Sequence, residues 1–400
     1  MALFVPNPER EAVEELIEEL SRYLTQRYRD AEDELIREVA MRAVRDFRLA
    51  SLLPEADGGM GMTAAERRER NRVLAELAAH RATSLRELQA RAIQIVSDLR
   101  REDIANRVIG IAASEGEAAA AAALRFAGSL TPVTGTSSQA VAMVALSLES
   151  RLDVLNQRLT RYPQDAYQRI IAMYSPNTLL GVTTSRIQQA SAVQRFLAEG
   201  IPGFTDRGGR RWTIGAYAEM AGRTTVNRAF NDAGIWRMQQ SSIHLVTVVR
   251  GLDSCRKCAA WAGKILSTDG TPAGPRVLPH ATREQAVTVD VAGTVEEARA
   301  AGWNHPNCRC RLVAYSPGLT VPQGDTTYDE AAEKERAQQR ALEREIRSAK
   351  RREAAAITDT DRAKAAADIR EAHADMRDFI RRTGRNRQSY REQLGFADGR

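Results

Sequence analysis

Between residues 8 and 47 apolar side chains recur at intervals of three and four: Val13, Leu16, Ile17 and Leu20, then Leu24, with Leu35, Val39 and Val44 further on. That period lines them along one stripe of a helix, so the segment predicts an amphipathic α-helix. PEADGGMGM (54–62) carries one proline and three glycines and reads as a linker. Thr63, with Glu66 three residues on, then has the spacing of a capping box and opens a second run of long helix. SLTPVTGTSS (129–138) breaks the pattern, and a third helical stretch is expected to end near Tyr162-Pro163. SPNTLLGV (175–182) predicts one more break.

After residue 200 the pattern changes. The pair Gly208-Gly209 between FT and RRWTI predicts a tight β-hairpin, followed by a short helix ending at Gly234. SIHLVTVVRG (242–251) is β-branched and bounded by glycine, which predicts a strand. From 326 onward alternating charges with spaced apolar positions predict a long exposed helix or a helical hairpin, broken near ITDTD (357–361). The expected fold class is therefore α+β. A mostly helical N-terminal region covers 1–199, a small α+β domain 200–320, and a charged helical tail 321–400.

Composition narrows this picture. At 400 residues the chain exceeds one ordinary core, and aromatics at 5% beside abundant Ala, Arg and Glu favour helices. A net charge of +6 tolerates a polyanion, but 58 basic against 52 acidic residues make a mixed surface and not a basic arm. The N-terminus turns acidic where an export signal would be cationic and then apolar, so no export signal is expected. The longest apolar runs, such as AVAMVAL (140–146), fall far short of the ~20 residues that span a bilayer, so no membrane contact is expected. Four cysteines are too few for a disulfide scaffold, which leaves metal binding as their leading use.

Those cysteines form two pairs. A turn at Cys255-x-x-Cys258 can aim both thiolates at one point, and Cys308-Arg309-Cys310, if extended, puts two more on one face. Together they make a closed tetrahedral site for structural zinc. His305 is a fifth candidate, so Cys3His is an open alternative, and free or redox-paired thiols are the competing reading. No open position beside a glutamate base accompanies them, as a catalytic zinc would want, so any metal reads as a staple joining a hairpin to the end of its domain.

Other candidates are weaker. His244, Asp253 and Ser254 compose a triad on paper, without a nucleophile elbow or oxyanion-hole motif. Asp253 and Lys264 read as turn and surface residues, with a local ion pair open to them. RGGRRW (207–212) and RRTGRNRQSYR (381–391) mix Arg with an aromatic, as nucleic-acid binders and ordinary solvated turns both do. Trp212, Trp236, Trp261 and Trp303 surround the cysteine segments and read as core packing.

The successive segments FTDRGGRRWTIGAYAEMAGRTT, GLDSCRKCAAWAGKILS and EEARAAGWNHPNCRCRLVAYSPG resemble, in order and spacing, the motifs of the phage minor capsid or Mu F-like head-morphogenesis family. The match falls on Cys255, Cys258, Trp261, Gly263, Lys264, Asn307, Cys308, Arg309 and Cys310 and covers roughly 200–318. The tail, with QRALEREIRSAKR and MRDFIRRTGRNRQSYRE, is also similar to the end of such proteins. The family accepts Cys or His at its last position, which favours Cys310 over His305 as fourth ligand. The resemblance implies a low-copy virion protein, assembled in the host cytoplasm and meeting the portal protein and capsid or scaffold proteins. It would act in head assembly or in DNA packaging and ejection, touching packaged DNA without sequence preference if at all. It does not imply an enzyme; the alternatives are a capsid-maturation hydrolase and a DNA-binding virion protein.

Overall fold

A computed structural model describes residues 10–53, 62–126, 138–179, 193–194, 196–205, 209, 211–251, 254–322, 327–356 and 358–394. The fold is α+β, with long helices before and after a small mixed sheet in the chain. Helices α1 (Arg10–Ala50), α2 (Ala64–Arg101), α3 (Ile104–Phe126) and α4 (Ser138–Leu179) come first. The hairpin β1 (Pro202–Thr205) and β2 (Arg211–Thr213) leads into α5 (Ile214–Gln240). Then follow β3 (Leu245–Val249), a single turn α6 (Arg256–Ala259), β4 (Ile265–Ser267), β5 (Gly274–Pro279), β6 (Ala286–Thr294), α7 (Val295–Ala300) and β7 (Arg311–Ala314). Helices α8 (Glu330–Ala354) and α9 (Asp359–Thr383) close the chain, with the break between them where ITDTD predicts it. The chain gathers into two compact units, one from 1–25, 103–152 and 218–337, the other from 26–102, 153–217 and 338–400.

The first unit holds the five-stranded sheet, in the order β5-β6-β4-β3-β7. Strand β3 pairs antiparallel with both β4 and β7, β4 runs parallel to β6, and β5 folds back antiparallel on β6. The β-branched, largely apolar β3 (LVTVV) matches its interior position between β4 and β7, buried on both faces. One face packs Val246, Val248, Leu266 and Leu312 against Leu124, Met238, Val295 and Trp303. The other gathers Val289, Val291 and Tyr315 with Leu245, Ile265 and Leu278. Helix α5 continues past Gly234, where its end was expected. That glycine is a packing residue and not a cap: a Cβ on it would lie 3.4 Å from the carbonyl oxygen of Gly116 on α3, and one on Gly116 would run into the carbonyl of Phe230. The two helices approach backbone to backbone there, so the helix gains contact where a larger side chain would hold them apart.

In the second unit, the α1 stripe continues through Tyr28, Ala31, Leu35 and Val39, all buried. The box at the start of α2 forms as expected, Thr63 N–H donating to Glu66 Oε2 at 2.7 Å and Glu66 N–H to Thr63 Oγ1 at 3.2 Å. Helix α4 does not stop at Pro163 but runs on through 175–179. An internal proline costs about 3 kcal/mol. Leu155, Leu159, Tyr162, Ala166, Tyr167 and Ile170 continue one buried stripe across it, and each of the leucines and the isoleucine contributes about 1.5–3 kcal/mol. The stripe outweighs the proline. Hairpin β1–β2 forms as predicted. Helices α8 and α9 share a core of Ile346, Ala372, Met376 and Phe379 flanked by Leu342 and Ile380. Most of the expected linker at 54–62, the break at 129–137, residues 180–182 and Asp253 lie outside the described residues.

Candidate metal centre

The register of two strands creates the site. Because β3 and β7 pair antiparallel with Val249 opposite Arg311, the chain leaving β3 and the chain entering β7 lie side by side. Cys255 and Cys258 follow the first, Cys308 and Cys310 precede the second. Cys255 caps the turn of α6 and Cys258 sits within it. The approach to Cys308 is made of tight turns, with Gly302, Asn304 and Asn307 at φ 95°, 51° and 66°. Between them the Trp303 side chain is buried in the core and anchors the loop. These positive φ values suit Gly and Asn, the residues that tolerate the left-handed region.

Helix α5 clamps the second cysteine segment through its backbone. Asn227 Nδ2 donates to the Cys308 carbonyl at 2.9 Å and Asn231 Nδ2 to that of Cys310 at 3.3 Å, while Leu312 N–H donates to Asn231 Oδ1 at 2.8 Å. One turn earlier Thr224 Oγ1 accepts from Asn307 N–H at 3.0 Å, and Arg223 donates to Asn307 Oδ1 at 3.2 Å. Arg223 is itself held by Glu18 of α1 at 2.9 Å, and Arg309 reaches the same carboxylate at 3.5 Å. Sequence reasoning missed this clamp. Its signal is Thr224, Asn227 and Asn231 at helical spacing among apolar neighbours, a buried polar stripe along one face of the helix.

All five candidate ligands come together. Cys255, Cys258 and His305 form one group and Cys258, Cys308 and Cys310 another, with ligand atoms in each within 4.8 Å of one another and Cys258 common to both. Cys255 Sγ lies 2.9 Å from His305 Nε2, and Cys258 Sγ 3.3 Å from Cys308 Sγ. Cys258, Cys308 and Cys310 are buried; Cys255 is half-buried.

The thiols divide charge unequally. The hydrogen bond from Cys258 holds Cys255 down to about 3, helped by His305 against the cost of burial. Cys258 and Cys308 hold Cys310 well below the ordinary thiol value. Cys258 is pushed up by its bonds to Cys255, Cys308 and Cys310. At Cys308 the bond to Cys258 pulls down, but Cys310 and burial outweigh it and the thiol rises. The bond to Cys255 raises His305. Two thiolates thus lean on two thiols, because four negative sulfurs in so small a volume would need a cation among them. The donor set suits such an ion. Four sulfurs about 2.3 Å from a tetrahedral zinc stand about 3.8 Å apart; Cys258, Cys308 and Cys310 lie within 4.8 Å of one another, while Cys255 groups with Cys258 and His305.

The other sequence candidates do not assemble. His244 precedes β3 and Ser254 follows it, so a five-residue strand, roughly 16 Å long, lies between them. Ser254 Oγ donates to the Gly251 carbonyl at 2.6 Å and sits 3.7 Å from Cys310 Sγ. Lys264 lies over the Trp261 ring, its Nζ 4.9 Å from the centroid. Trp303 is fully buried and Trp261 packs at the core's edge, the core packing expected of them; Trp212 stacks edge-on to Tyr217 in the other unit.

Fold and site together define a helix-rich α+β protein with a buried cysteine and histidine cluster that can hold a metal. The family model for phage minor capsid protein 2 matches residues 14–381, and the chain belongs to that family. No curated protein and no solved structure matches the chain. Family membership carries a structural capsid role, a place in the virion and assembly with other phage head proteins. Among the described residues no helix is long and apolar enough to cross a membrane.

Proposed function

We propose that the chain is a low-copy, portal-associated minor capsid protein that acts in head assembly or in passage of DNA, assembled in the host cytoplasm. The observation that carries this reading is the family match from 14 to 381, which spans the helices before and after the sheet as well as the sheet itself. Long helices can offer extended faces to partner helices of the portal, capsid or scaffold proteins. Within the chain, zinc on Cys255, Cys258, Cys308 and Cys310 is a structural staple. It would tie the end of β3 to the start of β7, where the ordered ladder stops. The ion's chemistry is cohesion: with four protein ligands no position is left for a substrate.

The test is genetic and biochemical. The protein is expected in purified heads at low copy. Its loss is expected to give heads that are misassembled, or filled but poorly infectious, with unchanged processing of the major capsid protein. A Ser254→Ala particle that assembles but no longer cleaves its capsid protein would replace the structural reading with a hydrolase.

A further inference from the structure

The arginine-rich segment 381–391 is occupied with its own fold. Arg385 Nε donates to Gln339 Oε1 at 3.1 Å, Arg387 Nε donates to Glu392 Oε1 at 2.7 Å, and Arg391 is buried with its Nε 2.9 Å from the Tyr390 hydroxyl. Arg381 pairs with Asp378 at 2.7 Å. These groups shape the end of α9 and leave little charge for a ligand.

The unspent charge lies on α9 itself. Its buried face is Ala365, Ala372, Met376 and Phe379. At about 100° per residue, Glu371, Asp375 and Asp378 fall in an arc roughly 60° wide on one side of that face. Arg362, Arg370, Arg377 and Arg381 fall in an arc of roughly 100° on the other side. The acid within that basic arc is Asp359, the first residue of the helix. Arg362, Arg370 and Arg377 are exposed, and among the described residues none has a carboxylate partner. From Arg362 to Arg381 the row is about 28 Å long at 1.5 Å per residue. His373 is held below its ordinary value first by burial and then by Lys350, Arg387 and Arg377, with Glu392 pulling the other way.

We infer that this basic flank of α9 is a sequence-independent contact surface for the phosphate backbone of duplex DNA. The inference deepens the virion reading and rests on it for where such DNA is met. Two features favour a nucleic-acid backbone over an acidic protein. The arginines are spread along the helix with Ala366, His373 and Ala374 between them, and Ile380, the large apolar residue in that arc, packs against the α8–α9 core, so the flank lacks the free apolar anchors at which protein interfaces concentrate their affinity. A row of separated cations without such anchors is what phosphate neutralisation needs, since that affinity comes from counterion release and carries no sequence information.

The experiment uses the full chain and two duplexes of unrelated sequence, with binding followed by fluorescence anisotropy between 50 and 200 mM salt. Both duplexes are expected to bind alike. Three neutralised phosphates predict that the native chain loses about 40-fold more affinity over this range than Arg362→Gln/Arg370→Gln/Arg377→Gln does. A control, Lys364→Gln/Arg382→Gln on the acidic flank, should keep the native salt dependence. All five sites are exposed, and circular dichroism checks that each variant is folded. No DNA binding by the native chain, or equal affinity and salt slope for native and triple variant, overturns the inference. So does a triple variant that binds DNA normally but no longer co-sediments with a head protein, which would give the flank to a protein partner. The binding assay needs no phage, so its failure would leave the virion reading standing, to be tested separately by recovery of the protein from heads.

Discussion

Each of the two compact units buries a knot of groups able to carry negative charge, and the two knots are completed differently. In the unit with the α8–α9 hairpin, Glu32 and Asp33 are almost wholly buried, and Arg351 lies between them, 2.9 Å from Asp33 and 3.4 Å from Glu32. Glu32 also accepts from the backbone N–H groups of Ile201 at 2.9 Å and Gly215 at 3.1 Å. Burial works against the Arg351 charge, but the two carboxylates outweigh it and hold its pKa above the ordinary value. That knot brings its own cation. In the sheet unit the four cysteines fall in two overlapping groups that share Cys258, and His305 lies against Cys255. The first knot is neutralised by the chain's own arginine; at the sheet the two groups form a donor set that could take an ion from outside.

The largest way to break the comparison is to withhold that ion. Protein prepared without chelators is expected to carry about one zinc per chain by elemental analysis. Structural zinc binds with an apparent free energy on the order of 10 kcal/mol, most of it folding energy. Cys308→Ser, or chelation, should therefore abolish hydrogen-exchange protection in β3, β4 and β7, while α2 and α9 in the other unit stay protected. Metal-free protein with a fully protected sheet would show that the thiols are simply a buried apolar cluster.

The next effect is smaller and concerns the knot that is already complete. Arg351→Met leaves two buried carboxylates facing each other, and breaking a buried pair in this way costs about 3–5 kcal/mol. Urea denaturation should show that loss, and Asp33→Asn added to Arg351→Met should restore part of it by removing one of the stranded charges. If Arg351→Met is as stable as the native chain, water reaches the site and the contrast between the two knots fails.

How much of this could be read in advance depends on which residues carried the signal. The stripe of α1, the box at Thr63 and the hairpin at 202–213 rest on contacts close in sequence, and β3 on its own β-branched composition, where period, turn chemistry and residue type speak directly. The gathering of the cysteines was legible because cysteine is scarce in this chain and the pairs are tightly spaced. Strands β5 and β6 were not, since GPRVLP has alternate residues exposed and two prolines, which reads as loop until a neighbouring strand is known. Pro163 and Gly234 misled for a related reason: local propensity ends a helix there, and burial along Leu159 and Tyr167, or the close approach at Gly116, continues it. The Asn227 and Asn231 clamp was invisible because its partners are carbonyls some eighty residues away.

The smallest expected effect is the most discriminating, because it decides which groups complete the thiol knot. Cys310 is buried beside Cys258 and Cys308, and its carbonyl is fixed by Asn231, so its sulfur is held in a rigid position beside theirs. His305 is less buried, and its Nδ1 lies 2.7 Å from the Pro306 carbonyl while Nε2 meets Cys255. With four thiolates on zinc the centre carries excess negative charge, and a protonated His305 donating to Cys255 offsets part of it without entering the coordination shell. His305→Ala should then weaken zinc retention by about 10–100-fold, the usual effect of losing an outer partner, and Cys310→Ala by far more. Cobalt substituted for zinc gives an independent reading, since its thiolate charge-transfer absorbance should be that of four sulfurs and unchanged by His305→Ala. The reverse ranking, with three-sulfur absorbance in the native protein, would make His305 the ligand and Cys310 a buried bystander.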